Sequence, residues 1–262
     1  MERIKEALER ARQERDNAPP ATRLETPRAA ARATEISYTQ TRTTQVPVSQ
    51  LRNQLVVSAL PEGVFTDAYK ILRTQVLQRL RENAWNVLAV TSPGEDEGKT
   101  LTAINLAISL AMEVSYSVLL VDANLRHPNV HEHLGLPASQ GLSEYLLDDV
   151  PLPELLVHPE NLDHVVILPG GRAVQNSAEL LNSPKMVQLV EELKNRYPSR
   201  IVIFDLPPLL SAADTLSFSP YVDAALLVLE DGKTTQDDAR RALELLECTN
   251  VIGTVLNKAG RD

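Results

Sequence analysis

The stretch Val87-Leu88-Ala89-Val90-Thr91, then Ser92-Pro93-Gly94-Glu95-Asp96-Glu97-Gly98-Lys99-Thr100, then Leu101 to Ala111, decides how this chain is read. A short apolar run, a glycine-containing turn and a longer apolar run predict a buried strand, a loop and a helix. Gly98-Lys99-Thr100 at a helix start offers backbone N–H groups aimed at phosphate oxygens. It adds a lysine for the terminal phosphates and a hydroxyl for Mg²⁺. The pattern G-x-x-x-x-G-K-[ST] asks for glycine at position 93, where Pro93 stands, with Gly94 one place late. Taken alone, these residues also fit an ordinary glycine turn between strand and helix.

Working outward, short apolar runs alternate with helical stretches. The expected strands are Val87 to Thr91, Ser117 to Val121, Val165 to Leu168, Ile201 to Phe204, Ala224 to Leu229 and Val251 to Leu256. Helices are expected at Thr66 to Glu82, Lys99 to Ala111, Leu142 to Leu147, Pro184 to Arg196 and Gln236 to Leu246. Apolar strands separated by helices describe an α/β fold with a mostly parallel sheet covered by helices on both faces. Two of the strands end in aspartate, Asp122 and Asp205. In an open α/β sheet that edge holds the ligand, and a carboxylate there can hold Mg²⁺ or accept a proton from an attacking hydroxyl. A single aspartate at a strand end is commonly a turn former; two beside Gly-Lys-Thr point to a nucleotide site.

The 262 residues carry a formal charge of −9 and one cysteine, Cys248. No internal disulfide follows from that, and no apolar run is long enough to span a bilayer, so a cytoplasmic protein is expected. The acidic balance argues against a nucleic-acid partner. Charge is uneven, with residues 1–52 at +3 and the remainder at −12. Ile4, Leu8 and Ala11 predict an amphipathic helix over residues 1–16. Residues 17–53, with Pro19-Pro20, Pro27 and a Thr-rich run, are expected to be a flexible linker, and 54–262 the folded domain.

The runs Val118-Leu-Leu-Val-Asp122-Ala-Asn-Leu-Arg126-His-Pro128 and Ile201-Val-Ile-Phe-Asp205-Leu-Pro-Pro208 resemble the second Walker motif and the Asp-x-Pro-Pro motif of bacterial tyrosine autokinases. These exopolysaccharide and capsule kinases fall within the partitioning and division-site ATPases of the P-loop NTPase fold. Thr91-Ser-Pro-Gly94-x-x-Glu97-Gly-Lys-Thr100 is similar to their loop, which accounts for Pro93. The likeness extends over Asp67-Ala-Tyr-Lys70-Ile-Leu-Arg73, Gly171 with Asn176, and Thr254-Val-Leu-Asn257-Lys258, roughly residues 60 to 260.

The resemblance implies ATP and Mg²⁺, with Gly94, Glu97, Gly98, Lys99, Thr100 and Leu101 around the phosphates. Lys99 would meet the β- and γ-phosphates, while Thr100, Asp122 and Asp205 would serve the metal. Asp122 would also orient or deprotonate the attacking hydroxyl, and Asn257 would contact adenine. Asp67, Lys70 and Arg73 resemble the helix that packs neighbouring subunits in ring-forming kinases; at i, i+3 spacing they equally suit pairs on one helix face. The implied partners are further copies of the chain and a transmembrane polysaccharide co-polymerase, which would hold the kinase at the inner membrane.

The chain departs from the family pattern at several places. Asn124 stands where the kinases usually carry a second aspartate, and Glu95-Asp96 bring acids into the loop. Gly94 stands where the partitioning ATPases carry a signature lysine. No tyrosine follows Tyr221, so Tyr38 in the linker becomes the candidate phospho-acceptor. Arg126 can touch phosphate or pair with an acid. His127 and His131 have the spacing of a helical metal pair, but Pro128 and the lack of nearby cysteine argue against zinc. The expected function is an ATP-dependent tyrosine autokinase of exopolysaccharide biosynthesis and export; the alternative is a nucleotide-switched assembly protein of the same system.

Overall fold

The structure, a computed structural model, describes residues 41–60, 63–113, 116–196 and 199–260. The expected N-terminal helix over 1–16, most of the expected linker, and Tyr38 lie outside the described residues. Eight strands form one sheet: β1 (Arg42–Thr44), β2 (Val87–Thr91), β3 (Ser117–Asp122), β4 (Val157–Pro159), β5 (Val165–Leu168), β6 (Arg200–Asp205), β7 (Ala224–Glu230) and β8 (Val251–Asn257). Their spatial order is β1-β4-β5-β3-β6-β2-β7-β8. All neighbours run parallel except β4 and β5.

Helices cover both faces, as expected: α1 (Val48–Asn53), α2 (Val64–Asn83), α3 (Lys99–Ala111), α4 (Val130–Leu134), α5 (Leu142–Asp148), α6 (Leu152–Leu155), α7 (Ser177–Leu181), α8 (Pro184–Arg196), α9 (Asp214–Phe218) and α10 (Gln236–Leu245). Alternate residues of each central strand enter opposite cores. Leu88, Val90, Leu120 and Ile203 pack with α2 and α3, while Val87, Ala89, Val121 and Phe204 pack with α8 and α9. Burial on both faces is why these strands read as unbroken apolar runs rather than alternating ones. The expected cap residues act as such, with Ser183 Oγ accepting from Met186 N and Thr235 Oγ1 from Asp238 N.

One boundary is corrected. The described part of the expected linker, residues 41–53, belongs to the folded body. Arg42–Thr44 adds a parallel strand to β4, and Val46 and Leu51 are buried with Val56. Their spacing is neither helical nor alternating, so pattern does not reveal them; β-branched threonines suit an edge strand once β4 offers one. Asn105 fastens the segment that follows. Buried in α3, it accepts from Ser58 N at 2.8 Å and donates to the carbonyls of Leu55 and Leu101 at 3.2 and 3.0 Å. Asn105→Leu leaves Ser58 N–H unpaired and is expected to cost about 1–3 kcal/mol of stability. Chemical denaturation of the two proteins side by side checks this, and an unchanged midpoint refutes the anchoring role.

Candidate nucleotide site

The loop between β2 and α3 is shaped by its own side chains. Ser92 Oγ donates to Gly94 O at 2.6 Å, and Gly94 N donates to Glu97 Oε2 at 3.0 Å. Glu97 is buried, and its other oxygen accepts from Thr234 Oγ1 at 2.6 Å. Its carboxylate therefore braces the loop against the turn after β7 and does not face the phosphate cradle. Glu95 and Asp96 are exposed, which puts their charge in solvent, away from the cradle. Their carbonyls are held instead: Lys233 Nζ donates to Glu95 O at 2.7 Å and Lys258 Nζ to Asp96 O at 2.6 Å.

Gly98 enters α3 with φ of 90°, left-handed backbone that glycine adopts without strain. Asn257, at the end of β8, lies against it and donates Nδ2 to Glu97 O at 3.0 Å. Its Oδ1 accepts no hydrogen bond among the described residues, so the amide reaches the loop with an acceptor to spare. Leu101 is half-buried and packs into the core below.

Thr100, Lys99, Asp122 and Asp205 meet at the carboxyl edge of the sheet. Asp122 and Asp205 are cross-strand neighbours in the β3–β6 ladder, which sets both carboxylates at one edge. Thr100 Oγ1 donates to Asp205 Oδ2 at 2.6 Å, and Lys99 Nζ donates to Thr100 Oγ1 at 3.2 Å. Lys99 Nζ also lies 4.0 Å from Asp205 Oδ1. Asp122 accepts three backbone N–H groups, from Asn124 at 3.2 Å, Asn129 at 2.9 Å and Val130 at 3.0 Å, the last two at the start of α4.

Both carboxylates are fully buried, so desolvation works against their ionisation. Burial and then the charge of Asp205 push Asp122 up to about 7, against the backbone donors and Lys99. Asp205 is also raised by burial, with Lys99 and Thr100 opposing. Burial lowers His133 on α4, which feels the charges of both Asp205 and Lys99. His133 is a site neighbour that its position within a run of three histidines did not disclose.

Asp122 thus keeps a proton in the fold that the unfolded chain releases near pH 4. That preference stabilises the metal-free protein fully below about pH 4, and the advantage is lost as pH rises to about 7. The metal-free melting temperature is expected to fall between about pH 4 and 7, with Asp122→Asn flattening that slope. Thermal scans across the range check it; a slope of the opposite sign refutes it.

The donor set fits Mg²⁺. Among the described residues Asp205 Oδ1 and Asn124 Oδ1 are buried without a hydrogen-bond partner, and Asp205 lies beside the Thr100 hydroxyl and across the ladder from Asp122. All are oxygen donors with few carboxylates among them, which suits an ion that keeps several waters and binds phosphate oxygens. Arg126 resolves in favour of an acid. Its Nε lies 3.1 Å from Asp214 Oδ2, and buried Asp214 also accepts from Ser177 Oγ, so Arg126 ties the loop after β3 to α9.

Asp67, Lys70 and Arg73 do not gather here. Lys70 Nζ pairs with Asp67 at 2.9 Å on the exposed face of α2. Arg73 turns inward, donating to Ser109 O at 3.0 Å and pairing with Glu113 at 3.3 Å. Arg73 therefore knits α2 to the end of α3 within the protomer. Thr234, Lys233 and Asp214 were missed from sequence because each acts through a partner more than eighty residues away.

Residues 88–262 match the family model of the CobQ/CobB/MinD/ParA nucleotide binding domain. The chain is 32% identical over 211 residues to tyrosine-protein kinase YwqD of Bacillus subtilis (strain 168), covering 80% of this chain and 87% of that protein. It is 31% identical to the succinoglycan biosynthesis transport protein ExoP of Rhizobium meliloti (strain 1021), covering 80% of this chain and 27% of that longer protein. Among solved structures it is similar to the kinase domain of Escherichia coli tyrosine kinase ETK, with a TM-score of 0.71 and 28% identity over 84% of this chain and 85% of that one.

Proposed function

We propose that this chain, which belongs to the CobQ/CobB/MinD/ParA nucleotide-binding family and within it to the bacterial tyrosine-protein kinases, transfers the γ-phosphate of ATP to tyrosine. The carrying observation is the buried cluster of Lys99, Thr100, Asp122 and Asp205 at one sheet edge. Backbone N–H groups of the loop from Gly94 to Thr100 and the Lys99 ammonium bind and orient the terminal phosphates. Thr100, Asp205 and Asp122 would hold Mg²⁺, which would supply charge neutralisation on the phosphates when bound. The phenol oxygen of the acceptor attacks the γ-phosphorus, the bond to the β–γ bridging oxygen breaks, and ADP leaves. Asp122, buried at the same sheet edge as Lys99 and Asp205, takes the phenol proton. Asn257 serves as the adenine contact.

Support for a place in polysaccharide export comes from the likeness to ExoP, whose name is that of a transport protein. No helix among the described residues is long and apolar enough to cross a membrane. On this reading the protein is cytoplasmic, is recruited to the inner membrane by a separate transmembrane co-polymerase, and assembles with further copies through the exposed face of α2 that carries Asp67, Lys70 and Ile71. The second reading, an ATP-binding assembly switch, draws on Asn124, a neutral amide in the catalytic edge.

The test is incubation with γ-labelled Mg-ATP, following phosphate on protein and free in solution. Label on tyrosine, lost in Tyr38→Phe, is expected. Label elsewhere refutes Tyr38 as acceptor, and ADP formation without protein label, or binding without turnover, favours the switch.

A further inference from the structure

The molecule has a second recess, at the opposite end of the sheet from the nucleotide loop. It encloses about 380 Å³ where α2 ends, where β2, β3 and β6 begin and where α8 ends. A six-residue strand separates it from the phosphate edge, roughly 20 Å at the ordinary strand rise. The floor is apolar, made by Leu77, Leu80 and Ile201. Trp85 and Tyr116, both half-buried, contribute flat walls.

Three cations line this recess: Arg81, Lys194 and Arg200. No carboxylate lines it among the described residues. In a chain of charge −9 that is a marked local reversal of sign, and a recess with low-dielectric walls concentrates such a field. Lys194 is partly neutralised by Asp223 from outside the recess, and Arg200 Nε donates to Ser117 Oγ at 3.4 Å. Arg81 is different. It lies over the Tyr116 ring, 5.3 Å from its centroid, and donates Nε to the Tyr116 hydroxyl at 3.0 Å, with no carboxylate partner among the described residues. One side chain is thereby held on an aromatic face with its outer nitrogens available for a bidentate contact to an anion.

Two amides, Asn86 and Asn195, also line the recess. Asn86 spends its Nδ2 on Lys194 O, and Asn195 spends its Nδ2 on Glu191 O, at 2.8 and 2.9 Å. Each amide keeps its second N–H and its Oδ1, so AMP is the ligand against which the recess has to be tested. An aromatic ring whose polar group is a phosphate asks only for stacking surface and cations. We propose that this recess binds the phosphotyrosine side chain of a phosphorylated protein segment, its ring between Trp85 and Tyr116 and its phosphate on Arg81 with Lys194 and Arg200. The choice of tyrosine as carrier rests on the kinase reading; the cation and aromatic chemistry of the recess does not.

Trp85 is the single tryptophan of the chain, so its emission reports on the recess directly. The experiment titrates the full chain, in a Lys99→Met background that silences the phosphate loop, with a short peptide carrying one phosphotyrosine. Calorimetry on the same pair confirms the binding. A saturable change in emission is expected, with the unphosphorylated peptide and AMP each weaker by about tenfold or more, the scale of one charge-assisted contact. Arg81→Ala is expected to weaken the phosphopeptide by a similar factor while leaving the melting temperature unchanged; Arg81 is exposed, which keeps this a binding variant. The proposal is overturned by any of these results: no saturable binding, equal binding of the unphosphorylated peptide, AMP binding as well as the phosphopeptide, or indifference to Arg81→Ala. A protein that binds the phosphopeptide but labels no tyrosine refutes the kinase reading and leaves the recess. One that labels tyrosine but binds no phosphopeptide does the reverse.

Discussion

Replacement of Lys99 by methionine is expected to lower phosphoryl transfer by about 10²–10³-fold, the cost of removing one preorganised charge from the developing transition state. The expectation comes from where the ammonium sits. Lys99 is 8% exposed, and its nitrogen lies 3.2 Å from Thr100 Oγ1 and 4.0 Å from the nearer oxygen of fully buried Asp205. Few waters can replace it there, so its field acts through a medium of low polarity. Methionine keeps the length and apolar stem while deleting the charge. The variant also leaves Asp122 and Asp205 without their cation, which drives the pair further toward holding a proton. Nucleotide binding at high pH is therefore expected to suffer less than binding near pH 6. Single-turnover transfer of labelled phosphate, with circular dichroism to confirm the fold, is the measurement. Wild-type turnover in a folded Lys99→Met protein removes the loop from the mechanism.

Gly98→Ala is expected to impair the site through backbone rather than charge. At φ of 90° an alanine is strained, at about 1–3 kcal/mol for a non-glycine residue held in a sparsely populated region. Its Cβ would also lie 1.9 Å from Asn257 Nδ2. Asn257 must swing away, which breaks its bond to Glu97 O and moves the proposed adenine contact. Loss of stability and loss of nucleotide affinity should therefore appear together. Gly253→Ala is the control, with open space around the new Cβ and ordinary backbone, and should change neither much. Adding Asn257→Ala to Gly98→Ala relieves the clash but not the strain, so stability should recover in part while affinity stays low. Thermal melts and nucleotide titration of the four proteins decide it. A Gly98→Ala protein as stable and as tightly binding as wild type refutes the account.

Much of the architecture was legible because its signals are local. Each central strand is an apolar run of four to seven residues bounded by turn formers, and the observed strands match the expected ones to within a residue at either end. Ser183 and Thr235 marked helix starts because a cap works across three residues. The edge of the sheet was not legible. Arg42–Thr44 and Val157–Pro159 are three-residue strands that pair with each other across more than one hundred residues, and nothing in either segment has a period to detect.

The candidate site divides along the same line. Gly98, Lys99, Thr100, Asp122 and Asp205 could be named from the chain because each sits at the end of a recognisable strand or start of a recognisable helix, whereas Asn257 was named by the family resemblance. What each side chain does there depended on distant packing. Arg126 had two readings until Asp214 was seen buried behind it, and Arg73 had two until it was found on Ser109 and Glu113. Glu97 braces a loop against Thr234, and the two acids beside it are harmless because their side chains lie in solvent. Strand, loop and helix follow from hydrophobic period and turn chemistry over a few residues. Ion pairs, buried protons and a recess lined by three cations follow from which residues the sheet order brings together, and that order is set by contacts no local window contains.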